Sequence, residues 1–147
     1  MKLGMCYPTP GPGGCVDAAA LDRIKLAGAT AIRIDTHIEN PNIAEMIAAV
    51  RAAGFDVLPI LAFDFGQQSA DALADFALQL VTEHRIEAVE VLNEPSAYMK
   101  PEDYRPILHA VGAKLRGVSR VLAAGEFLIA DRKGPRLKPW FRVSCRP

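Results

Sequence analysis

The chain has 147 residues, half of them apolar and 23% charged. That is enough for one domain with a real core, and it excludes a disordered segment. Seventeen basic residues balance seventeen acidic ones, so there is no basic field to gather nucleic acid or an anionic membrane surface.

The elements follow in chain order. Lys2–Cys6 reads as a strand, and Pro8–Gly14 ("PTPGPGG") as a turn or mouth loop. That loop lacks the Lys-Ser/Thr of a phosphate-binding loop and the spacing of a dinucleotide fingerprint. It also interrupts any signal peptide, and no apolar run reaches the length of a membrane span, so the expected location is the cytoplasm. A first helix is predicted from near Asp17 to Ala27, with Asp17 as cap and Gly28 as terminator. Ala31–Asp35 reads as the second strand. Asn40-Pro41 is expected to open the second helix, as a cap followed by proline at the first helical position. In that helix Ile43, Met46, Ile47 and Val50 share a face, and Gly54 closes it.

Val57–Phe63 is the third strand, with an irregularity expected at Pro59. The third helix follows Ser69 and turns Leu73, Phe76, Leu80 and Val81 inward. Ala88–Asn93 is the fourth strand. The fourth helix starts near Pro101 and presents Tyr104, Ile107, Leu108, Val111 and Leu115 at helical spacing. Val121–Glu126 is the fifth strand, Asp131–Pro139 a loop, and Trp140–Cys145 a short fifth helix. A strand–helix unit thus recurs roughly every 30 residues. The strands are nearly continuous in apolar residues, as parallel strands covered on both faces are. The fold class is therefore α/β, a (β/α) repeat of about five parallel strands with right-handed crossovers.

Polar residues gather just after the strands: Tyr7, then Asp35 with Thr36 and His37, then Asp64, then Asn93 and Glu94, then Glu126. In parallel α/β sheets ligands bind at these strand ends. For Asp35, Asp64 or His37 taken singly, a cap or turn role is the plainer account. Glu94 is different: it ends an apolar strand and is tightly flanked by Asn93 and Pro95. A partly desolvated carboxyl there can serve as a proton donor. Glu90 shares its strand parity and is expected to be structural, with Arg33 as its partner in kind. Cys6, Cys15 and Cys145 lack metal-ligand spacing and read as free thiols. No metal or other cofactor is expected.

"VEVLNEP" at the fourth strand resembles the Asn-Glu-Pro motif of the clan A glycoside hydrolases, retaining glycosidases on a TIM barrel that include cellulase-like, mannanase-like and xylosidase-like members. "AIRID" is similar to that family's second strand. The resemblance implies a carbohydrate substrate, Glu94 as general acid/base, Asn93 on the sugar's 2-hydroxyl and Arg33 near the catalytic centre. Asp35, Tyr7 and Glu126 would line the substrate site. It also implies that residues 1–147 are an incomplete (β/α)8-type domain, a partial TIM barrel, since a full barrel takes about 250 residues. Retaining chemistry needs two carboxyl groups about 5–5.5 Å apart. The family's nucleophilic Glu follows the seventh strand, which is absent here. Glu126, on the strand next to Glu94, would stand on the same side of a bound sugar and is expected to be a subsite residue. Open strand edges invite association, so a second copy of the chain or a complementing C-terminal half-barrel is the expected partner. Two other readings remain: a non-catalytic carbohydrate-binding half-barrel, and a truncated gene product with no activity of its own.

Overall fold

Two helix starts follow directly from side-chain chemistry. Asp17 accepts a hydrogen bond from the Ala19 N–H (3.0 Å) at the head of α1 (Ala18–Leu26). Ser69 accepts one from the Ala72 N–H (3.1 Å) at the head of α3 (Ala70–His84). Each satisfies a donor that the first helical turn leaves unpaired. The computed structural model describes residues 4–7, 16–62, 68–123, 129–131 and 134–136. Their other elements are β1 (Gly4–Tyr7), β2 (Ala31–Thr36), α2 (Ile43–Ala52), β3 (Asp56–Leu61), β4 (Ala88–Val91), a 3-10 turn (Pro95–Ala97), α4 (Pro101–Lys114), β5 (Arg120–Ala123), β6 (Ile129–Asp131) and β7 (Gly134–Arg136).

The first five strands form one parallel sheet in the order β1-β2-β3-β4-β5. Gly4 is in register with Ala31, and Ala88 with Arg120. This is the α/β class and the (β/α) repeat that the sequence predicts. By its contacts the chain divides into two compact units, Met1–Ile60 and Leu61–Pro147.

In the first unit, Leu21 of α1, Ile32 and Ile34 of β2, and Met46, Ile47 and Val50 of α2 are buried. Gly28 and Gly54, at φ +81° and +88°, follow the two helices as expected. Lys25, in the last turn of α1, donates from Nζ to the Ala53 carbonyl at the end of α2 (3.0 Å). A cation there complements the negative end of the helix dipole. The start of α2 differs from the sequence reading. The helix begins at Ile43, with Asn42 at its cap position. Asn40, 5% exposed, instead uses its Oδ1 to accept from the Asn42 N–H (2.9 Å) and its Nδ2 to reach the Met46 Sδ (3.4 Å). Asn side chains compete with the helix for nearby backbone groups, and here the resulting turn carries the chain past Pro41 before the helix starts.

In the second unit, α3 and α4 pack on each other and on β4. Leu73, Ala77, Leu80 and Val81 of α3 meet Tyr104, Ile107 and Val111 of α4 in the buried set; Phe76 and Leu108 are only half-buried. Ser119 donates its hydroxyl to the Ile86 carbonyl (3.0 Å), and the Arg120 N–H donates to the Glu87 carbonyl (2.9 Å), which pins the start of β5 beside β4.

Two further expectations change. The sequence suggests strands covered on both faces, yet burial alternates along β2 and β4, with Arg33, Asp35 and Glu90 on the half-buried face. Charged side chains keep that face in partial contact with water. The segment Asp131–Pro139, read as a loop, contains β7, which pairs antiparallel with β6, Ile129 opposite Arg136. Gly134 and Pro135 are poor strand formers, so their pairing is invisible to local propensity. The Pro8–Gly14 loop, Asp64, Glu126, Cys15, Cys145 and the helix expected around Trp140 lie outside the described residues. No helix among the described residues is long and apolar enough to cross a membrane.

Candidate functional site

The loop after β4 has the most unusual backbone in the second unit. Leu92 adopts φ +62° and Glu94 φ +45°, either side of Asn93. Bulky residues avoid this left-handed region, and each such residue costs about 1–3 kcal/mol unless its surroundings over-determine it. Glu94 also precedes Pro95, a position that ordinarily favours extended backbone.

The surroundings do hold the loop. Leu92 is 1% exposed, and its N–H donates to the Leu61 carbonyl (3.1 Å). The buried Tyr104 hydroxyl donates to the Val91 carbonyl (2.8 Å). The Tyr98 hydroxyl donates to the Asn93 carbonyl. The Ala97 N–H donates to the Glu94 carbonyl (2.9 Å) and the Tyr98 N–H to the Pro95 carbonyl (3.2 Å), closing the 3-10 turn, and the Met99 N–H also reaches the Pro95 carbonyl (2.9 Å). Pro95 is buried, whereas Asn93 and Glu94 are both exposed. The partial desolvation expected at Glu94 is therefore not supplied by the described residues.

The first unit carries Tyr7, Arg33 and Asp35. The half-buried Tyr7 accepts the Asp17 N–H at its hydroxyl (2.9 Å), which ties the end of β1 to the head of α1. Arg33, directly opposite Cys6 in the β1–β2 register, donates from Nη1 to the Cys6 Sγ (3.4 Å). Asp35 stands two residues on, on the same half-buried face. Thr36 between Asp35 and His37 is fully buried and donates its hydroxyl to the Ile60 carbonyl (2.7 Å). An open groove of about 420 Å³ is lined by Met5, Cys6, Tyr7, Ala20, Arg23 and Ile24.

No family model and no curated protein matches this chain. The site therefore rests on its own chemistry. The loop after β4 presents one exposed carboxylate and one exposed carboxamide on a fixed backbone, a set able to accept from and donate to hydroxyl groups. Among the described residues no group of three or more His, Cys, Asp or Glu side chains is placed to hold a metal ion.

Sequence reasoning missed Leu92 and Tyr98. The signal for Tyr98 was present: an aromatic five residues beyond Asn93, across a proline-initiated turn. Nothing local marked Leu92, because its left-handed backbone is imposed by the core.

Proposed function

We propose that this chain supplies the acid/base half of a retaining glycosidase site. Glu94 in its carboxylic acid form donates its proton to the glycosidic oxygen as the bond to the anomeric carbon breaks. A second carboxylate, supplied by a complementing partner, attacks that carbon. Glu94, now a carboxylate, takes a proton from the water that releases the sugar. Asn93 hydrogen-bonds a sugar hydroxyl beside it. Arg33, Asp35, Tyr7 and Glu126 are the substrate-lining residues of the same reading.

The observation that carries the reading is the pair of left-handed residues, Leu92 and Glu94, held at the end of β4 by hydrogen bonds to the carbonyls of Leu61, Val91, Asn93, Glu94 and Pro95. Backbone strain of this kind clusters at functional sites, and here it falls on the motif that the family resemblance singles out.

Hydrolysis of p-nitrophenyl β-glucoside, β-mannoside and β-xyloside tests the reading, with the chain alone and with a candidate C-terminal half. Turnover should require the partner and vanish in Glu94→Gln; activity that survives this substitution sinks it.

One observation favours a second reading, carbohydrate binding without turnover. Tyr98 is 51% exposed beside Asn93 and Glu94, and a fixed aromatic ring can stack on the apolar face of a sugar. Calorimetry against oligosaccharides separates the two: heat of binding in a chain that never hydrolyses favours the second.

A further inference from the structure

We propose that Tyr98 is a positioning residue for Glu94: its hydroxyl holds the Asn93 carbonyl and so keeps Glu94 in its left-handed conformation. The proposal rests on the reading of Glu94 as the reacting carboxyl.

Leu92 and Glu94 share an unusual φ but are held differently. Leu92 is buried, its own N–H is bonded to Leu61, and the preceding carbonyl receives the Tyr104 hydroxyl. Its conformation is built into the core. Glu94 is exposed, and the following proline disfavours its conformation. Its φ torsion lies between two carbonyl groups. The far one, its own, receives the Ala97 N–H (2.9 Å). The near one, that of Asn93, receives the Tyr98 hydroxyl. Rotation about the Glu94 N–Cα bond has to break one of these two hydrogen bonds.

Tyr98 is itself anchored, since its N–H donates to the Pro95 carbonyl (3.2 Å). A packing role explains it poorly: it is half exposed, whereas Tyr104, the core tyrosine of this unit, is 1% exposed. What Tyr98 adds is a donor at the end of a rigid ring. A proton donor must sit within hydrogen-bond reach of the leaving oxygen, and a misplacement of about 1 Å can cost about 100-fold in rate. A residue that fixes the Glu94 backbone therefore acts on the chemistry without touching the substrate.

The test uses the full ¹⁵N-labelled chain with Tyr98→Phe and Tyr98→Ala. A positive φ brings a residue's amide and Hα protons close, so Leu92 and Glu94 should both show strong intraresidue amide–Hα Overhauser effects. In both variants the effect should weaken at Glu94 by the same amount, stay strong at Leu92, and leave the thermal midpoint in place. The proposal is overturned if the Glu94 effect is weak in the native chain or unchanged in Tyr98→Phe. It is also overturned if the effect moves only in Tyr98→Ala, because ring packing would then be the cause. Titration with cellotetraose, mannotetraose and xylotetraose separates the two readings. If Glu94 loosens in Tyr98→Phe and no sugar shifts any amide, Tyr98 still holds Glu94 and the carbohydrate reading is the one that fails.

Discussion

Tyr104 donates its hydroxyl to the backbone carbonyl of Val91 at 2.8 Å, with the ring 1% exposed. The bond ties α4 to the last residue of β4, one position before the left-handed Leu92. Tyr104 thus joins a helix stripe that is plain in the sequence to a loop that is not.

Tyr104→Phe tests that link. The ring and its packing remain, and only the buried donor is lost. Removing one partner of a buried hydrogen bond costs about 1–3 kcal/mol. The urea midpoint of the variant should fall accordingly, with the far-ultraviolet circular dichroism of the native state unchanged. Tyr104→Ala should cost more, about 3–5 kcal/mol, because it also leaves a cavity. Equal losses in the two variants would show that the hydroxyl, not the ring, carries the whole effect.

In the first unit, Thr36 plays a similar part for β2 and β3. Its hydroxyl, fully buried, donates to the Ile60 carbonyl at 2.7 Å. Pro59 has no N–H to give to the ladder at the preceding position. Thr36→Val keeps the volume and removes the donor, so it should destabilise by about 1–3 kcal/mol in urea unfolding. Thr36→Ser keeps the donor and loses one methyl group, a loss of about 1 kcal/mol. A Val variant as stable as the native chain would count against the bond.

These residues show what the sequence makes legible. Asp17 and Ser69 were readable as caps because capping is local: one side-chain oxygen and an N–H two or three residues away. Gly28 and Gly54 were readable because a helix end that needs positive φ selects glycine. The parallel order of the strands followed from the spacing of the repeat. Three features needed the tertiary fold. Asn40 looks like a cap before proline, and only its burial against Met46 displaces the helix start to Ile43. Leu92 carries no sign of its left-handed backbone, since the bond from its N–H goes to Leu61, distant in sequence. Glu94 was legible as the unusual residue of its loop, but its exposure was not, because burial depends on everything packed around it.

Asn40 gives the third prediction. Its Oδ1 accepts the Asn42 N–H, and its Nδ2 reaches the Met46 Sδ inside the core. Asn40→Ala removes both contacts, taking the side-chain acceptor from the half-buried Asn42 N–H, for a loss of about 1–2 kcal/mol. Amide exchange should quicken first at Asn42 and through the first turn of α2, while α1 keeps its protection. Uniform acceleration across the first unit would show instead that Asn40 supports the fold globally.

Glu94 gives the last. An exposed residue at φ +45° is strained as glutamate and relaxed as glycine. Relief of the left-handed conformation is worth about 1–3 kcal/mol, and the greater freedom of glycine in the unfolded chain offsets about 0.5–1 kcal/mol of it. Glu94→Gly should therefore be neutral to stabilising, by up to about 2 kcal/mol, while Glu94→Ala, which keeps the strained Cβ, should match the native chain. Leu92→Gly has the same backbone logic but loses a side chain that is 1% exposed. The loss of buried side chain, about 2–5 kcal/mol, outweighs the relief, so that variant should be destabilised. Opposite signs at two left-handed positions two residues apart would separate strain fixed by the core from strain kept at an exposed carboxylate. A Glu94→Gly chain less stable than Glu94→Ala would remove the strain argument, and with it the observation on which the acid/base reading of Glu94 chiefly stands.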